Sequence, residues 1–443
     1  MAEDILAVWM DGYDTVAGHL IKDDLGTTAF RYNDVYVGGG GLPLSLSLPL
    51  KTNKFDDLET RAFFANLLPE NAQLQRLMER EGLERNDVVG LLRHLGADCA
   101  GAVSCLPEGD PPVKSPGVLE EDYEPLEDRA VINIVRSLAE ARRLPDEVDD
   151  PSPVAGVQSK IAITLLADGR FALPRPGLRV PTTHILKVPE RRQGRDARLE
   201  ETSALLAAAT GLDVSKPQAI KVGDYDALLI SRFDRRVENG VVSRIHQEDF
   251  AQALGFPSGL KYQRHGRPGR WFDVDAILSV LDRTEDSEGA RVAFLRATLF
   301  NLCIGNTDNH AKNHALIYDQ GVTPRLAPLY DMLPIRIDAR YNHQLAYNIG
   351  SAQQFDDMTP EDLSAFISAF GVEDLPEFVE VVVVPLIQEL EAATRNLRSM
   401  GLKSFDDLIG RETDRLVELF SAAVTVRERD AFLDRSGGWG ATS

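Results

Sequence analysis

The chain has 443 residues, 43% of them hydrophobic and 26% charged, and a formal net charge of −21. That length suits two or three units with sizeable cores, while the acidic excess argues against gripping nucleic-acid phosphates directly, which takes clustered Lys and Arg. No apolar run approaches the ~20 residues of a membrane helix, and Cys99, Cys105 and Cys303 are too few and too scattered for a disulfide framework or a zinc site.

The N-terminus, Met1-Ala2-Glu3-Asp4, opens acidic rather than with the basic start of a secretory signal, so a cytoplasmic protein is expected. Residues 1–105 read as a small mixed subdomain. Residues 5–10 form a predicted strand followed by an Asp11-Gly12 hairpin turn. Residues 44–48 alternate strictly, as a half-buried strand does, and 58–80 and 85–95 carry helix-period apolar residues. Residues 38–41, all Gly, lack the Lys and following helix of a phosphate loop and read as a flexible connection. Residues 106–153 read as a linker with a helix over 129–143, because Pro, Gly and acidic residues crowd 107–125 and 145–153.

From 154 to 236 strands dominate around one helix, which suits the smaller, nucleotide-covering lobe of a kinase. Val154-Ala155-Gly156-Val157-Gln158-Ser159-Lys160 is a small-residue turn running into an apolar strand. Such side chains let backbone N–H groups approach a triphosphate, and Lys160 can reach its oxygens. Residues 183–189 form a short strand with one Lys. Lys187 is either solvated on a polar face or grips the α- and β-phosphates, held by a Glu on the next helix. That helix is expected over 199–210, with Glu200 and Glu201 in its first turn, where the helix dipole alone also favours carboxylates. The next strand leaves through Ser231-Arg232-Phe233, where an adenine-binding hinge would lie.

From 237 to 435 helices are expected (250–254, 274–281, 291–303, 360–370, 375–398 and 405–426), and 436–443 is a Gly-rich tail. The helix over 291–303 delivers Ile304-Gly305-Asn306-Thr307-Asp308-Asn309-His310-Ala311-Lys312-Asn313, and Tyr330-Asp331 follows. An Asp, an Asn five residues on and a second Asp 23 residues beyond the first are what a kinase needs. One carboxylate accepts the proton of the attacking hydroxyl, while an amide oxygen and a second carboxylate hold Mg²⁺. The Asp-to-Asn gap equals that of H-R-D-x-x-x-x-N, but the His follows the Asp, which weighs against a small-molecule kinase of the aminoglycoside or choline type. His310 and His314 are spaced i, i+4 without an H-E-x-x-H glutamate or a third ligand, so a metal hydrolase lacks support.

Taken in order, these blocks resemble the HipA family of toxin serine/threonine kinases. The resemblance covers nearly the whole chain: residues 42–49 and Phe63-Phe64-Ala65-Asn66-Leu67-Leu68-Pro69, the phosphate turn, residues 183–189 and 232–236, Ile245-His246-Gln247-Glu248-Asp249-Phe250, residues 305–313 and residues 326–331. It implies an α+β HipA-like kinase with a mixed N-terminal subdomain, a β-rich nucleotide lobe and an all-helical C-terminal lobe. It implies ATP and Mg²⁺ as cofactors, Asp308 as base, Asn313 and Asp331 as metal ligands, and Lys187 on the phosphates with Glu200 as its partner. Nucleotide contacts would come from Val154, Ala155, Gly156, Val157, Gln158, Ser159 and Lys160, from Ser231, Arg232 and Phe233, and from His310, Lys312 and Tyr330.

The family also implies a HipB-like helix-turn-helix antitoxin, DNA contact only through that partner, no membrane, and a substrate in translation such as an aminoacyl-tRNA synthetase, whose phosphorylation arrests growth. The rival reading from another class is a catalytically idle HipA-like scaffold that docks an antitoxin and tunes transcription. This sequence departs from the family pattern at the hinge, where Ser231 replaces a frequent Glu, and at Gly266-Arg267-Pro268, which replaces Gly-Gly-Pro. Pro153 occupies the place of a Ser that is autophosphorylated in well-known members. Proline has no hydroxyl, so Ser152 and Ser159 become the candidate autophosphorylation sites.

Overall fold

The computed structural model describes residues 4–429 apart from 71, 146, 149–151 and 153–157. The protein is α+β and separates into two compact units, one of residues 1–198, 217–258 and 315–327, the other of 199–216, 259–314 and 328–443. The expected segments 1–105 and 154–236 therefore contribute mainly to the first unit, and most of the expected helical segment to the second. Among the described residues no helix is long and apolar enough to cross a membrane.

In the first unit β1 (Asp4–Met10), β2 (Gly18–Lys22), β3 (Thr28–Tyr32) and β4 (Val103–Pro107) form an antiparallel sheet in the order β3-β2-β1-β4. Leu6, Val8 and Met10 share one face of β1, as the two-residue period requires, and are buried with Phe30, Phe55, Phe63 and Phe64. Next come β5 (Gly117–Val118), β6 (Tyr123–Pro125), β7 (Lys160–Leu165), β8 (Phe171–Pro174), β9 (His184–Lys187), β10 (Pro217–Val222) and β11 (Tyr225–Ser231). All but β5 form a six-stranded sheet in the order β10-β11-β9-β7-β8-β6. One face of it, with Ile161, Ile163, Leu186 and Leu229, packs on the helix Asp128–Ala141 through Val131, Ile134, Val135 and Leu138. That spacing is the i, i+3, i+4, i+7 stripe of an amphipathic helix. The strands therefore turn Lys160, Ala162, Ile185 and Lys187 to the opposite face.

The hairpin β12 (Arg235–Glu238) and β13 (Val241–Arg244) adds to β5, and β14 (His246–Asp249), β15 (Ala315–Tyr318) and β16 (Arg325–Leu326) make a last small sheet. The segment expected to be all-helical thus also carries strands. They are two to four residues long, too short for a two-residue period to stand out. The Pro-rich stretch expected as linker likewise supplies β5 and β6.

Three further expectations are corrected. Residues 44–48 form a tight turn, with Leu48 N–H donating to Ser45 C=O at 3.0 Å, not a strand. Ser45 is buried and Ser47 half-buried, and their hydroxyls bond Glu248 and the Gln252 carbonyl. Gly38 to Gly41 are an ordered helix end rather than a flexible connection: Gly39, Gly40 and Gly41 N–H all bond back into the helix Asp34–Gly38. A Cβ at Gly41 would stand 2.2 Å from the Tyr36 ring, which is why Gly is needed there. The helix expected over 58–80 is split, by the 3-10 turn Ala65–Leu67 and Pro69, into Asp57–Phe64 and Ala72–Glu81.

The second unit is built of helices. Ser287–Cys303, capped by Asp286 on Gly289 N–H at 2.9 Å, is buried nearly all round from Phe294 onward and packs on Lys403–Phe420. The expected helix over 375–398 runs as Leu375–Phe378, a π turn Val379–Val383 and Val384–Ala393; the wide turn absorbs Pro385, which has no N–H to give.

Candidate active site

In the second unit the helix Ser287–Cys303 ends in a loop whose shape is set by Gly305. Its φ of +71° is left-handed, and a Cβ there would stand 3.0 Å from Leu408 Cδ2 and 3.2 Å from Arg336 Cβ. Beyond the glycine a ladder of amides fixes the chain. Asn301 donates to Ala297 C=O at 2.9 Å, Asn306 Nδ2 to Asn301 Oδ1 at 2.9 Å, and Asp308 N–H to Asn306 Oδ1 at 3.1 Å. The Asp308 carbonyl is held in turn by Asn313 Nδ2 at 2.8 Å and by His310 N–H at 3.0 Å. Asn313 thereby spends its NH₂ on the loop and keeps Oδ1 as acceptor.

The Asp308 carboxyl titrates above its ordinary range. Burial is the largest cause, and the charge of Asp331 adds to it; the hydrogen bond from Tyr262 and the charges of Lys261 and Arg264 pull the other way. Asp331 is solvent-exposed and holds φ +58°, a left-handed conformation that costs a non-glycine residue about 1–2 kcal/mol. Strain of this kind gathers at functional loops. Tyr330 secures the neighbouring backbone by donating its hydroxyl to Lys312 C=O at 2.7 Å, and Lys312 itself is buried.

His310 is buried against Tyr262, edge to face at 4.9 Å, and its pKa falls to about 3, chiefly through burial, so it is neutral at physiological pH. Its Nδ1 has no hydrogen-bond partner among the described residues, an orphaned polar atom that suits a ligand contact. Among the described residues no group of three or more His, Cys, Asp and Glu could hold a metal by itself. The Asn313 oxygen and the Asp331 carboxylate fit Mg²⁺ of the kinase kind, which takes one or two protein oxygens and completes its shell with phosphate and water.

In the first unit Lys187 is buried, which excludes the solvated reading of this lysine. It lies in register opposite Lys160 across β7 and β9, so both side chains share the sheet face turned away from the core. Val188 N–H donates to Ser159 C=O at 2.8 Å, which fixes the entry to β7. Gln158, Ser159 and Lys160 are half-buried, whereas Val154, Ala155, Gly156 and Val157 lie outside the described residues. Ser231 is exposed and bonds His184 Nε2 at 3.1 Å; Phe233 is half-buried.

Arg232 has a different setting from the one expected of a nucleotide contact. Its guanidinium is buried and spent on protein: Asp234 at 3.0 Å through Nε and Nη2, Thr182 at 3.1 Å and Ser152 at 3.2 Å through Nη1. Ser152 is 1% exposed, and its hydroxyl donates to the Asp98 carbonyl. Glu200, in the second unit, is 5% exposed. Its helix begins at Arg195, not at 199, so Glu200 and Glu201 sit in the second turn and the N-terminal dipole no longer explains them.

Sequence reasoning missed Tyr262, Asn306 and Gly305 as parts of this site. Tyr262 is separated from Asp308 by 46 residues, and a lone aromatic in a loop carries no periodic signal. The available clue was its company: Lys261, Arg264, Arg267 and Arg270 around it with no acidic residue.

Comparison with known proteins gives matches along nearly the whole chain. The family described as HipA-like C-terminal domain matches residues 152–394, and the one described as HipA N-terminal domain matches 6–106. A protein named Y4mE from Sinorhizobium fredii is 35% identical over 371 residues, 83% of this chain and 86% of that one. The serine/threonine-protein kinase toxin HipA of Shewanella oneidensis is 30% identical over 347 residues, 75% of this chain and 76% of that one. A chain in the solved complex of Shewanella oneidensis HipA, HipB and operator DNA is similar with a TM-score of 0.78 and 25% identity, covering 94% of this chain and 98% of that chain.

Proposed function

The chain belongs to the HipA family of kinase toxins, and from that premise we propose that it transfers the γ-phosphoryl group of ATP, with Mg²⁺, to a Ser or Thr hydroxyl of a cellular protein. The observation that carries the reading is the loop 305–313, in which Asp308 has one carboxylate oxygen bound to Tyr262 and Asn313 has its NH₂ bound to the Asp308 carbonyl, leaving Oδ1 as acceptor. Asp308 takes the proton of the attacking hydroxyl on Oδ2, the oxygen that Tyr262 does not engage. Asn313 and Asp331 hold Mg²⁺, which supplies neutralisation of charge on the phosphates. Lys160 and Lys187 bind phosphate oxygens from their shared sheet face, and neutral His310 offers its Nδ1 to the nucleotide. Ser231 and Phe233 line the adenine, and Arg232 anchors that segment through Asp98 and Asp234.

We further infer a HipB-like antitoxin as partner. The solved relative is a complex with HipB and operator DNA, and a net charge of −21 makes direct DNA contact by this chain unfavourable. An aminoacyl-tRNA synthetase is the proposed substrate, on family grounds alone. Autophosphorylation is assigned to Ser152 or Ser159. Ser152 is buried, and its hydroxyl must leave Asp98 and Arg232 before it can be phosphorylated.

Expression in a bacterial host tests the toxin reading. Induction of the parent arrests growth, induction of the Asp308→Asn variant does not, and phosphoproteomics of the two cultures names the substrate. Equal arrest by both proteins contradicts it.

A further inference from the structure

From Phe250 to Phe272 the sequence contains no Asp or Glu, in a chain with 69 acidic residues among 443. Inside this stretch Lys261, Arg264, Arg267 and Arg270 recur at every third position. The run begins beside Asp308. Ala311 N–H donates to Lys261 C=O at 3.1 Å, Tyr262 donates to Asp308, and the Arg264 guanidinium lies 3.9 Å over the Tyr262 ring.

It then continues into a rigid turn. Arg267 and Arg270 exchange backbone hydrogen bonds at 3.2 and 2.8 Å around Pro268 and Gly269, and Gly269 holds φ +77°, the arrangement of a type II turn. Trp271 closes over Gly266, where a Cβ would stand 2.0 Å from the Trp271 Cδ1 atom. Arg267 is exposed and Arg270 half-buried, and neither pairs with a carboxylate among the described residues. A chain of net charge −21 repels acidic partners in general, and a preorganised cationic strip cancels that repulsion locally.

We propose that the strip from Lys261 to Arg270 is an acid-reading subsite, which docks Asp or Glu residues flanking the acceptor Ser or Thr of the substrate protein. It rests on the reading of Asp308 as the base. The chemistry fits a short acidic peptide segment better than a nucleic acid, because a polyphosphate backbone extends well past four cations into the acidic remainder of the surface.

The test is fluorescence anisotropy on the full-length protein with a labelled Ala-Glu-Glu-Ser-Glu-Glu-Ala peptide, its Gln and Lys counterparts, and oligouridylate. The parent binds the Glu peptide roughly tenfold more tightly than the Gln peptide, the order set by two partly screened ion pairs. High salt removes the difference. Arg267→Gln with Arg270→Gln abolishes the preference, and Arg267→Glu with Arg270→Glu turns it toward the Lys peptide; thermal melts confirm that both variants fold. Equal affinity of the parent for the Glu and Gln peptides overturns the proposal, as does a preference that survives in both variants, or oligouridylate binding tighter than the Glu peptide and weakened by the same changes. The Asp308→Asn variant keeps the preference. Phosphoryl transfer is read separately, so a parent that binds the Glu peptide selectively but transfers nothing defeats the kinase reading and leaves the subsite standing.

Discussion

The Tyr262 hydroxyl donates to Oδ1 of Asp308 at 2.5 Å, and that bond opposes the burial that drives the carboxyl upward. A general base works only when ionised. The acid limb of the rate profile therefore lies above the ordinary Asp range, and activity grows as pH rises through it. Tyr262→Phe removes an interaction that favours the carboxylate, so the limb moves to higher pH. The variant loses kcat/KM chiefly on the acid side of the profile and little on the alkaline side. An unmoved limb would remove Tyr262 from the control of Asp308.

Glu248 gives a second, purely structural pH dependence. It is fully buried in the first unit, accepting from Ser45 Oγ, from Leu46 N–H at 3.0 Å and from Tyr318, and burial drives its pKa up from 4.5 to about 7 against those bonds, with Asp249 adding repulsion. The protonated form is the one the fold favours. Its contribution is complete below the ordinary value and is lost as pH rises through about 7. Glu248→Gln, neutral at every pH, flattens this part of the stability curve and melts several degrees above the parent at pH 8.5 but close to it at pH 5. Parallel melting curves across that range would contradict the assignment.

Asp98 neutralises a buried cluster of arginines, with contacts to Arg235 at 2.6 Å, Arg232 at 3.4 Å and Arg244 at 3.7 Å. Those arginines hold its carboxyl below the usual carboxylate range despite burial. Asp98→Ala strands charge in the interior and costs about 3–5 kcal/mol, measured by urea denaturation. A loss under about 1 kcal/mol, the size of a surface pair, would mean that water or rearrangement replaces the carboxylate.

Regular elements with a clear period were legible in the sequence: the helix Val274–Leu281 and the strand β1 sit where their apolar spacing puts them. The proposed chemical groups Asp308, Asn313 and Asp331 lie on two short segments, which is why the sequence suggests them together. Long-range polar contacts were not legible. The alternation of Ser45 and Ser47 looks like a strand, but their partners are Glu248 and the Gln252 carbonyl, some 200 residues away. Arg232 looks like a hinge residue until its guanidinium is seen among Asp98, Asp234 and Ser152. Hydrophobic period reports which face is buried, not which buried polar groups satisfy one another.

Asp331→Asn keeps the size of the side chain and removes the charge that Mg²⁺ needs. Phosphoryl transfer falls by about two orders of magnitude or more, and part of it returns at high Mg²⁺. The fold is kept, since the residue is exposed. Unchanged Mg²⁺ dependence would place the metal elsewhere.

The most direct measurement incubates purified parent and Asp308→Asn protein with γ-labelled ATP, Mg²⁺ and a cell extract. The parent transfers label to protein Ser or Thr. Asp308→Asn transfers none, yet melts no lower than the parent, because the exchange removes a half-buried charge that desolvation and Asp331 disfavour. Equal labelling by the two proteins, or no transfer by the parent under conditions in which it binds ATP, would contradict the account.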